Sequence, residues 1–334
     1  MNYIFWFNES SSVYWHGIIM AIALGAAVLA AAGFRRAEGK KDNVILLSAV
    51  PGLPLAVVLS RIVFWFFSRA YFDGFGDSLH ALSNGGHSLL GAMLGILLAV
   101  IISAKILRLD DLMAVLDAVA PAGALGLCIG RLSGYFSLDD RGKIIETETV
   151  RYFPFAVYDT SSASWRLSVF TLEAIAAGVI FIACTIMFAF VYNGRSRIRG
   201  GNVMLLFLSL FGVTQGTLES MRLDSLFMNT LGFVRINQIA SLVLIVFVLV
   251  VYSVTSIKNI GFRLLHIVVW IVSLGLLGLA FYMEFRIHSA VLMRNYAVMS
   301  SCLAIVSYLS FRLFVLTYSR AKSNHGLWRP VRGR

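Results

Sequence analysis

Charge is scarce in this sequence. Asp, Glu, Lys and Arg make up only 13% of 334 residues, against 59% hydrophobic ones, whereas soluble domains carry about 25% charged residues. With a mean hydropathy of +0.82, the chain is excluded from the soluble globular class. Cysteine is scarcer still. Cys128, Cys184 and Cys302 each fall within an apolar run. They form no CxxC pair and join no histidine at a metal-ligand spacing, so they read as small residues at helix interfaces rather than as a metal or redox site. Low-complexity linkers and internal repeats are missing too. No cleavable signal peptide is expected, because the first apolar run follows a polar, acid-containing N-terminus and is too long for an h-region.

What the chain has in abundance is long apolar runs, several near or above the ~20 residues that a spanning helix needs. Nine are expected: about 14–34, 44–67, 85–104, 112–130, 167–191, 203–219, 236–256, 264–283 and 291–318. The fourth and sixth are the least hydrophobic, because they carry Asp117 and Glu219. The fold class is therefore an all-α polytopic integral membrane protein. Two segments between spans, Ser68–Asn84 and Leu132–Arg166, are long enough for structure of their own. The second is either a lid or docking element or a plain surface loop.

The formal charge of +11 invites a nucleic-acid reading, but its placement argues against one. Arg35, Arg36, Lys40 and Lys41 follow the first span, Arg195, Arg197 and Arg199 the fifth, and Lys258 and Arg263 the seventh, while the tail ends in Arg320, Lys322, Arg329, Arg332 and Arg334. The alternate loops are poorer in Lys and Arg. By the positive-inside rule, the N-terminus is expected outside and the basic tail in the cytoplasm.

Polar residues inside spans are expensive and tend to face the bundle interior. Arg131, after the Gly-rich run that ends at Gly130, stands at a membrane boundary where a lipid phosphate is the commonest anion. Arg61 lies well inside the second span, either functional, ion-paired or snorkelling to an interface. Gln215, Glu219 and Arg222 share one helical face at i, i+4 and i+7. Glu219 and Arg222 are placed either to form a structural ion pair or to present Arg222 to a phosphate. Glu173 is the better interior partner for an arginine than Asp117 at the opposite end of its span. His16, after Tyr14-Trp15, fits an interfacial belt. His87, after Gly85-Gly86, is either a boundary histidine or a general base near neutral pH. Gly91 and Gly95 give small-xxx-small spacing for close helix packing.

Taken together, these positions resemble the prolipoprotein diacylglyceryl transferases of bacterial inner membranes. Asp117, Ala120, Pro121, Gly126, Gly130 and Arg131 fall in the family's D-x-x-A-P-x(4)-G-x(3)-G-R spacing. Arg61-Ile62 resembles the arginine of its second span, Tyr14-Trp15-His16-Gly17 its aromatic entry to the first, and Gly85-Gly86 with Gly91 its G-G-x-x-x-H-G segment. Glu173 matches the glutamate of Q-L-Y-E, Gly201, Gly212, Glu219 and Arg222 the sixth span, and Gln238 with Ser241 the start of the seventh. The resemblance covers about residues 13–256. It departs at Gly134, Ser137 and Asp139, where the family has two Asn and a Glu, at Leu90 and Leu167 for two histidines, at Phe170 for a Gln, and at Gln215 for an arginine.

The resemblance implies a seven-span transferase-like core over residues 1–257 and a two-helix extension over 258–334, with a basic tail. It implies transfer of a diacylglyceryl group from phosphatidylglycerol, or another anionic phospholipid, to the cysteine thiol of a prolipoprotein signal peptide. No cofactor or metal is required. Arg131, Arg61 and Arg222 are then expected as the phosphate clamp, with Tyr14, Glu173 and Gln215 also on the substrate side. Glu219 is expected beside the reaction, and His87 as the base. A lipid-binding protein without turnover, or a transferase with another acceptor, is the alternative on the same scaffold.

Overall fold

In a membrane every backbone N–H and C=O must find an internal partner, so apolar runs of this length fold as helices. The computed structural model describes residues 4–8, 11–68, 74, 76, 86–137, 141–145, 148–160, 162–192, 200–223, 225–228, 231–286 and 292–323. Among these residues, nine helices are long and apolar enough to cross a membrane. They are α1 (Trp15–Ala37), α2 (Val44–Phe67), α3 (Leu89–Ile106), α4 (Leu112–Arg131), α5 (Val169–Tyr192), α6 (Asn202–Leu218), α7 (Ile236–Ile260), α8 (Leu264–Arg286) and α9 (Leu292–Ser323). Each expected span is present. The protein is an all-α polytopic membrane protein in its spans, with seven short strands outside them among the described residues.

Two boundaries shift for local reasons. The third span starts at Leu89 rather than residue 85, because Gly86 takes the left-handed φ of +78° and Ser88 caps the helix, accepting the Gly91 N–H at 3.4 Å. The sixth ends at Leu218, and residues Glu219–Met221 tighten into a 3-10 turn. Gly85, most of the Ser68–Asn84 segment, Asp139, and Arg195, Arg197 and Arg199 lie outside the described residues.

The chain divides into two compact units. The first comprises Met1–Phe207 with Leu218–Ala240 and the second Leu208–Thr217 with Ser241–Arg334. In the first, α2 and α3 meet at Gly91 and Gly95. A Cβ on Gly91 would overlap the Leu59 carbonyl oxygen, and one on Gly95 would lie 2.5 Å from that of Leu55. This is the close approach that small residues permit. α1 crosses α4 in the same way, with Ala27 2.9 Å from where a Gly126 Cβ would stand. At the other end of these helices, Val44, Ile45, Val100 and Val115 form a buried apolar cluster. There Arg35 is buried against Glu38 at 2.6 Å and against Asp42.

Asp117, expected near a boundary, is fully buried. Its carboxylate accepts the Gly201 N–H at 2.7 Å, the Met204 N–H at 2.9 Å and the Tyr192 hydroxyl at 3.0 Å. A carboxylate at the start of α6 satisfies donors that the first helical turn leaves open, and it ties α4 and α5 to α6.

Residues 132–168 are more than a surface loop. After a 3-10 turn at Leu132–Phe136, the strands β3 (Arg141–Ile144), β4 (Ala156–Asp159) and β5 (Ser164–Ser168) form an antiparallel sheet in the order β3-β5-β4. Ser168 ends β5 and Val169 begins α5 without a linker. Two small hairpins complete this unit: β1 (Ile4–Asn8) with β2 (Ser11–Tyr14), and β6 (Phe227–Met228) with β7 (Leu231–Arg235).

In the second unit, Gly212 on α6 packs 2.9 Å, measured from its would-be Cβ, from Ile245 on α7. Its helices are stitched by short polar pairs: Ser209 to Ser307 at 2.6 Å, His266 Nε2 to Ser256 at 3.0 Å, and the Trp270 indole N–H to Ser253 at 3.1 Å.

Candidate active site

The sequence places Arg131 in the last turn of α4 and Glu173 in the first turns of α5, on helices that pack side by side in the first unit. Arg131 Nε reaches Glu173 Oε2 at 3.0 Å, and Arg222 Nη1 lies 3.6 Å from Glu173 Oε1. The carboxylate is 1% exposed, whereas Arg131 and Arg222 keep 14% and 12% of their side-chain surface. Two guanidiniums thus meet one buried carboxylate and keep a small exposed surface. Guanidinium forks suit phosphate oxygens.

The 3-10 turn and the sheet hold this trio in place. The Ser133 hydroxyl donates to the Gly130 carbonyl at 2.6 Å, Trp15 stacks on Phe136 with centroids 5.8 Å apart, and His16 Nδ1 lies 3.4 Å from the Ser133 carbonyl oxygen. His16 therefore secures the end of α4. Arg222 forms an antiparallel bridge with Gly142, and the Leu223 N–H donates to the Arg141 carbonyl at 3.3 Å. Gly142 has no room for a side chain, since a Cβ there would come 2.9 Å from the Met221 carbonyl oxygen.

Of the two readings of Glu219 and Arg222, the i, i+3 ion pair is not what forms among the described residues. The chain leaves the α-helix at Leu218, and Arg222 is extended, with φ −79° and ψ 151°. Its side chain turns to Glu173 while its N–H bonds the Glu219 carbonyl at 3.2 Å. Glu219 is fully buried, and neither carboxylate oxygen has a hydrogen-bond partner among the described residues.

A second cluster lies on α2 and the entry to α3. Arg61, 1% exposed, donates to the Gly86 carbonyl at 2.6 Å and lies 5.7 Å from the Phe64 ring centroid. A Cβ on Gly86 would stand 2.6 Å from Phe64 and 2.9 Å from the Arg61 guanidinium, so glycine is needed for contact as well as for φ. His87 is exposed, with Nδ1 3.4 Å from the Ser60 hydroxyl. Both clusters occupy loop-side ends of spans on one membrane face, because the α2–α3 and α4–α5 connections are separated by two crossings. Tyr14 ends β2, directly before α1, with 51% exposure. Gln215 is buried on α6 and belongs to the second unit. Among the described residues, no group of three or more His, Cys, Asp or Glu is placed to hold a metal ion.

Comparison with known proteins finds that residues 2–254 match the family model described as prolipoprotein diacylglyceryl transferase. The chain belongs to this family. Similar relatives include a phosphatidylglycerol–prolipoprotein diacylglyceryl transferase of Clostridium perfringens, 28% identical over 245 residues, covering 72% of this chain and 90% of the relative. One from Finegoldia magna is 26% identical, with 70% and 88% covered, and one from Oceanobacillus iheyensis 25% identical, with 76% and 88% covered. The family match ends within α7, so α8 and α9 lie beyond it.

Two of the departures from the transferase pattern meet. Gly134 and Phe170, which stand where the pattern has Asn and Gln, pack on each other: a Cβ on Gly134 would lie 2.6 Å from the Phe170 Cβ. Phe170 is 1% exposed. A pair of polar positions has become one apolar contact.

Sequence reasoning missed the residues that hold the sheet together. Asp159 receives Arg141 Nη1 at 2.7 Å, Arg166 Nε at 3.0 Å and the Ser162 hydroxyl at 2.8 Å. Arg141 is 7% exposed and Asp159 5%. The available signal was Arg141 directly before Gly142, in a segment that mixes basic and acidic residues.

Proposed function

We propose that this transferase-family protein moves the diacylglyceryl group of phosphatidylglycerol, or another anionic phospholipid, onto the cysteine thiol of a prolipoprotein signal peptide, on the outer side of a bacterial inner membrane. The observation that carries this reading is the trio Arg131–Glu173–Arg222 at the ends of adjacent spans. Both guanidiniums gather on Glu173 and keep part of their surface exposed, and guanidinium forks suit phosphate oxygens, which supports an anion at headgroup level. The basic residues after α1, α5 and α7 support an outside N-terminus and a cytoplasmic tail by the positive-inside rule.

In this mechanism the phosphodiester oxygens rest on Arg131 and Arg222. The thiolate is the attacking form of cysteine, so a base must remove the thiol proton. His87 is assigned that role, because it is exposed and lies beside Ser60. The sulfur forms a bond to the glyceryl carbon as the bond from that carbon to the phosphate oxygen breaks. Glycerol phosphate then leaves with the charge, which the guanidiniums stabilise as it develops. No metal or cofactor enters this balance. Arg61 acts as a positioning residue: bound to the Gly86 carbonyl, it fixes the segment that carries His87. Glu219 is placed beside Arg222 through the backbone of its turn, and Tyr14 at the interface where lipid approaches. Gln215 is assigned no place in the site. Residues 1–257 are the transferase core and 258–334 an appended two-helix segment, a division supported by the extent of the family match.

Lipid binding without turnover is the second reading, and the Gly134–Phe170 contact favours it. Complementation in a bacterium depleted of its own diacylglyceryl transferase separates the two. The wild type is expected to rescue growth, and Arg131→Ala and His87→Ala at matched membrane levels are not. Rescue by His87→Ala removes the base assignment, and failure of well-expressed wild type leaves the binding reading.

A further inference from the structure

The sheet between α4 and α5 carries an apolar feature that the transfer reaction does not use. In the loop before β4, Tyr152, Phe153 and Phe155 are 53%, 58% and 40% exposed. Three adjacent aromatics left bare at one place mark an interaction surface rather than scattered surface apolarity.

The loop's position limits what covers it. The Ser168 N–H donates to the Phe155 carbonyl at 2.9 Å, and the Ser168 hydroxyl donates to the Pro154 carbonyl. Ser168 is fully buried and is the residue immediately before α5. On the other side, the Phe153 ring packs edge-on against Tyr135, centroids 6.2 Å apart, and Tyr135 lies four residues beyond Arg131. The loop is thus fastened to the mouths of two membrane spans. At that level the surroundings are headgroups and upper acyl chains, where aromatic side chains partition favourably.

We propose that the Tyr152–Phe155 loop inserts into the interfacial layer of the bilayer and anchors the sheet to it. The occupant of this surface is lipid, not a peptide or a second copy of the chain. Through the Gly142–Arg222 bridge, the anchored sheet also sets the height of Arg222 against the headgroups. The inference rests on the membrane spans and not on the transfer activity, so its test is independent of turnover.

The experiment is spin labelling of Phe153→Cys and Thr160→Cys in the full chain, reconstituted in nanodiscs of phosphatidylethanolamine and phosphatidylglycerol. The native background serves if the wild type takes up no label; otherwise Cys128, Cys184 and Cys302 are each replaced by Ala. Thr160 is exposed in the turn immediately after β4, about 16 Å from Phe155 at 3.3 Å per extended residue. Power saturation with oxygen and a water-soluble nickel chelate is expected to place the label at 153 roughly 5–10 Å into the interface and that at 160 in water. A label at 153 as accessible to the chelate as that at 160 overturns the proposal. Protection from both reagents also overturns it, because protein and not lipid then covers the loop.

Discussion

Glu173 is the residue on which the two arginines depend. Its carboxylate is buried, and taking it away leaves two guanidiniums close together with no shared counter-charge. Removing one partner of a buried ion pair costs about 3–5 kcal/mol. Glu173→Gln is therefore expected to lower unfolding stability by about that amount and to scatter the clamp, read as a lower melting temperature together with lost transfer activity. Gly134 poses the opposite problem, too little space. Gly134→Asn drives a side chain into Phe170, and overpacking of this kind costs about 1–3 kcal/mol. Paired with Phe170→Ala the loss is expected to shrink, so a double-mutant cycle reads a coupling of about 0.5–3 kcal/mol; additive effects would refute the contact. At this scale the sequence marked Arg131, Glu173 and Arg222 correctly as residues needing partners, since a charge at a span boundary must be compensated. It left the partner of Arg222 open between Glu219 and a phosphate; an i, i+3 argument holds only while the helix continues, and here it ends at Leu218.

The helices were legible to within a few residues, because apolar length is the signal that a bilayer selects. Gly91 and Gly95 also marked a close helix contact, and the structure supplies its partner, α2, where side-chain-free positions meet backbone. The β3-β5-β4 sheet was legible only as a segment of unusual length. Its strands are four or five residues long, and they are held by Arg141, Asp159 and Arg166, whose partnerships span 18 residues or fewer but carry no periodicity. Asp117 illustrates the element scale best. Its three accepted hydrogen bonds fasten the start of α6, so Asp117→Ala leaves buried donors unpaired at about 1–3 kcal/mol each. A lower melting temperature with unchanged activity per folded molecule is expected. Lost activity in a fully stable variant would instead place Asp117 in the chemistry.

For the whole molecule, the nine helices long and apolar enough to cross a membrane among the described residues are the scaffold. Family membership covers residues 2–254, and the structure adds the trio and the sheet that positions Arg222. Two of the altered polar positions, Gly134 and Phe170, meet in one close contact. Beyond the family match, α8 and α9 are joined to the second unit by polar pairs, α8 through His266 and Trp270 and α9 through Ser307.

The most direct measurement is a transfer assay with purified protein in bilayers containing phosphatidylglycerol and a peptide bearing a signal-peptide cysteine, with product read by mass spectrometry. The wild type is predicted to add a diacylglyceryl group to the thiol and release glycerol phosphate. Arg131→Ala, folded and inserted to the same extent, is predicted to be slower by about 100-fold or more. Wild-type protein that binds phosphatidylglycerol without forming the thioether, or Arg131→Ala with undiminished turnover, would contradict this account.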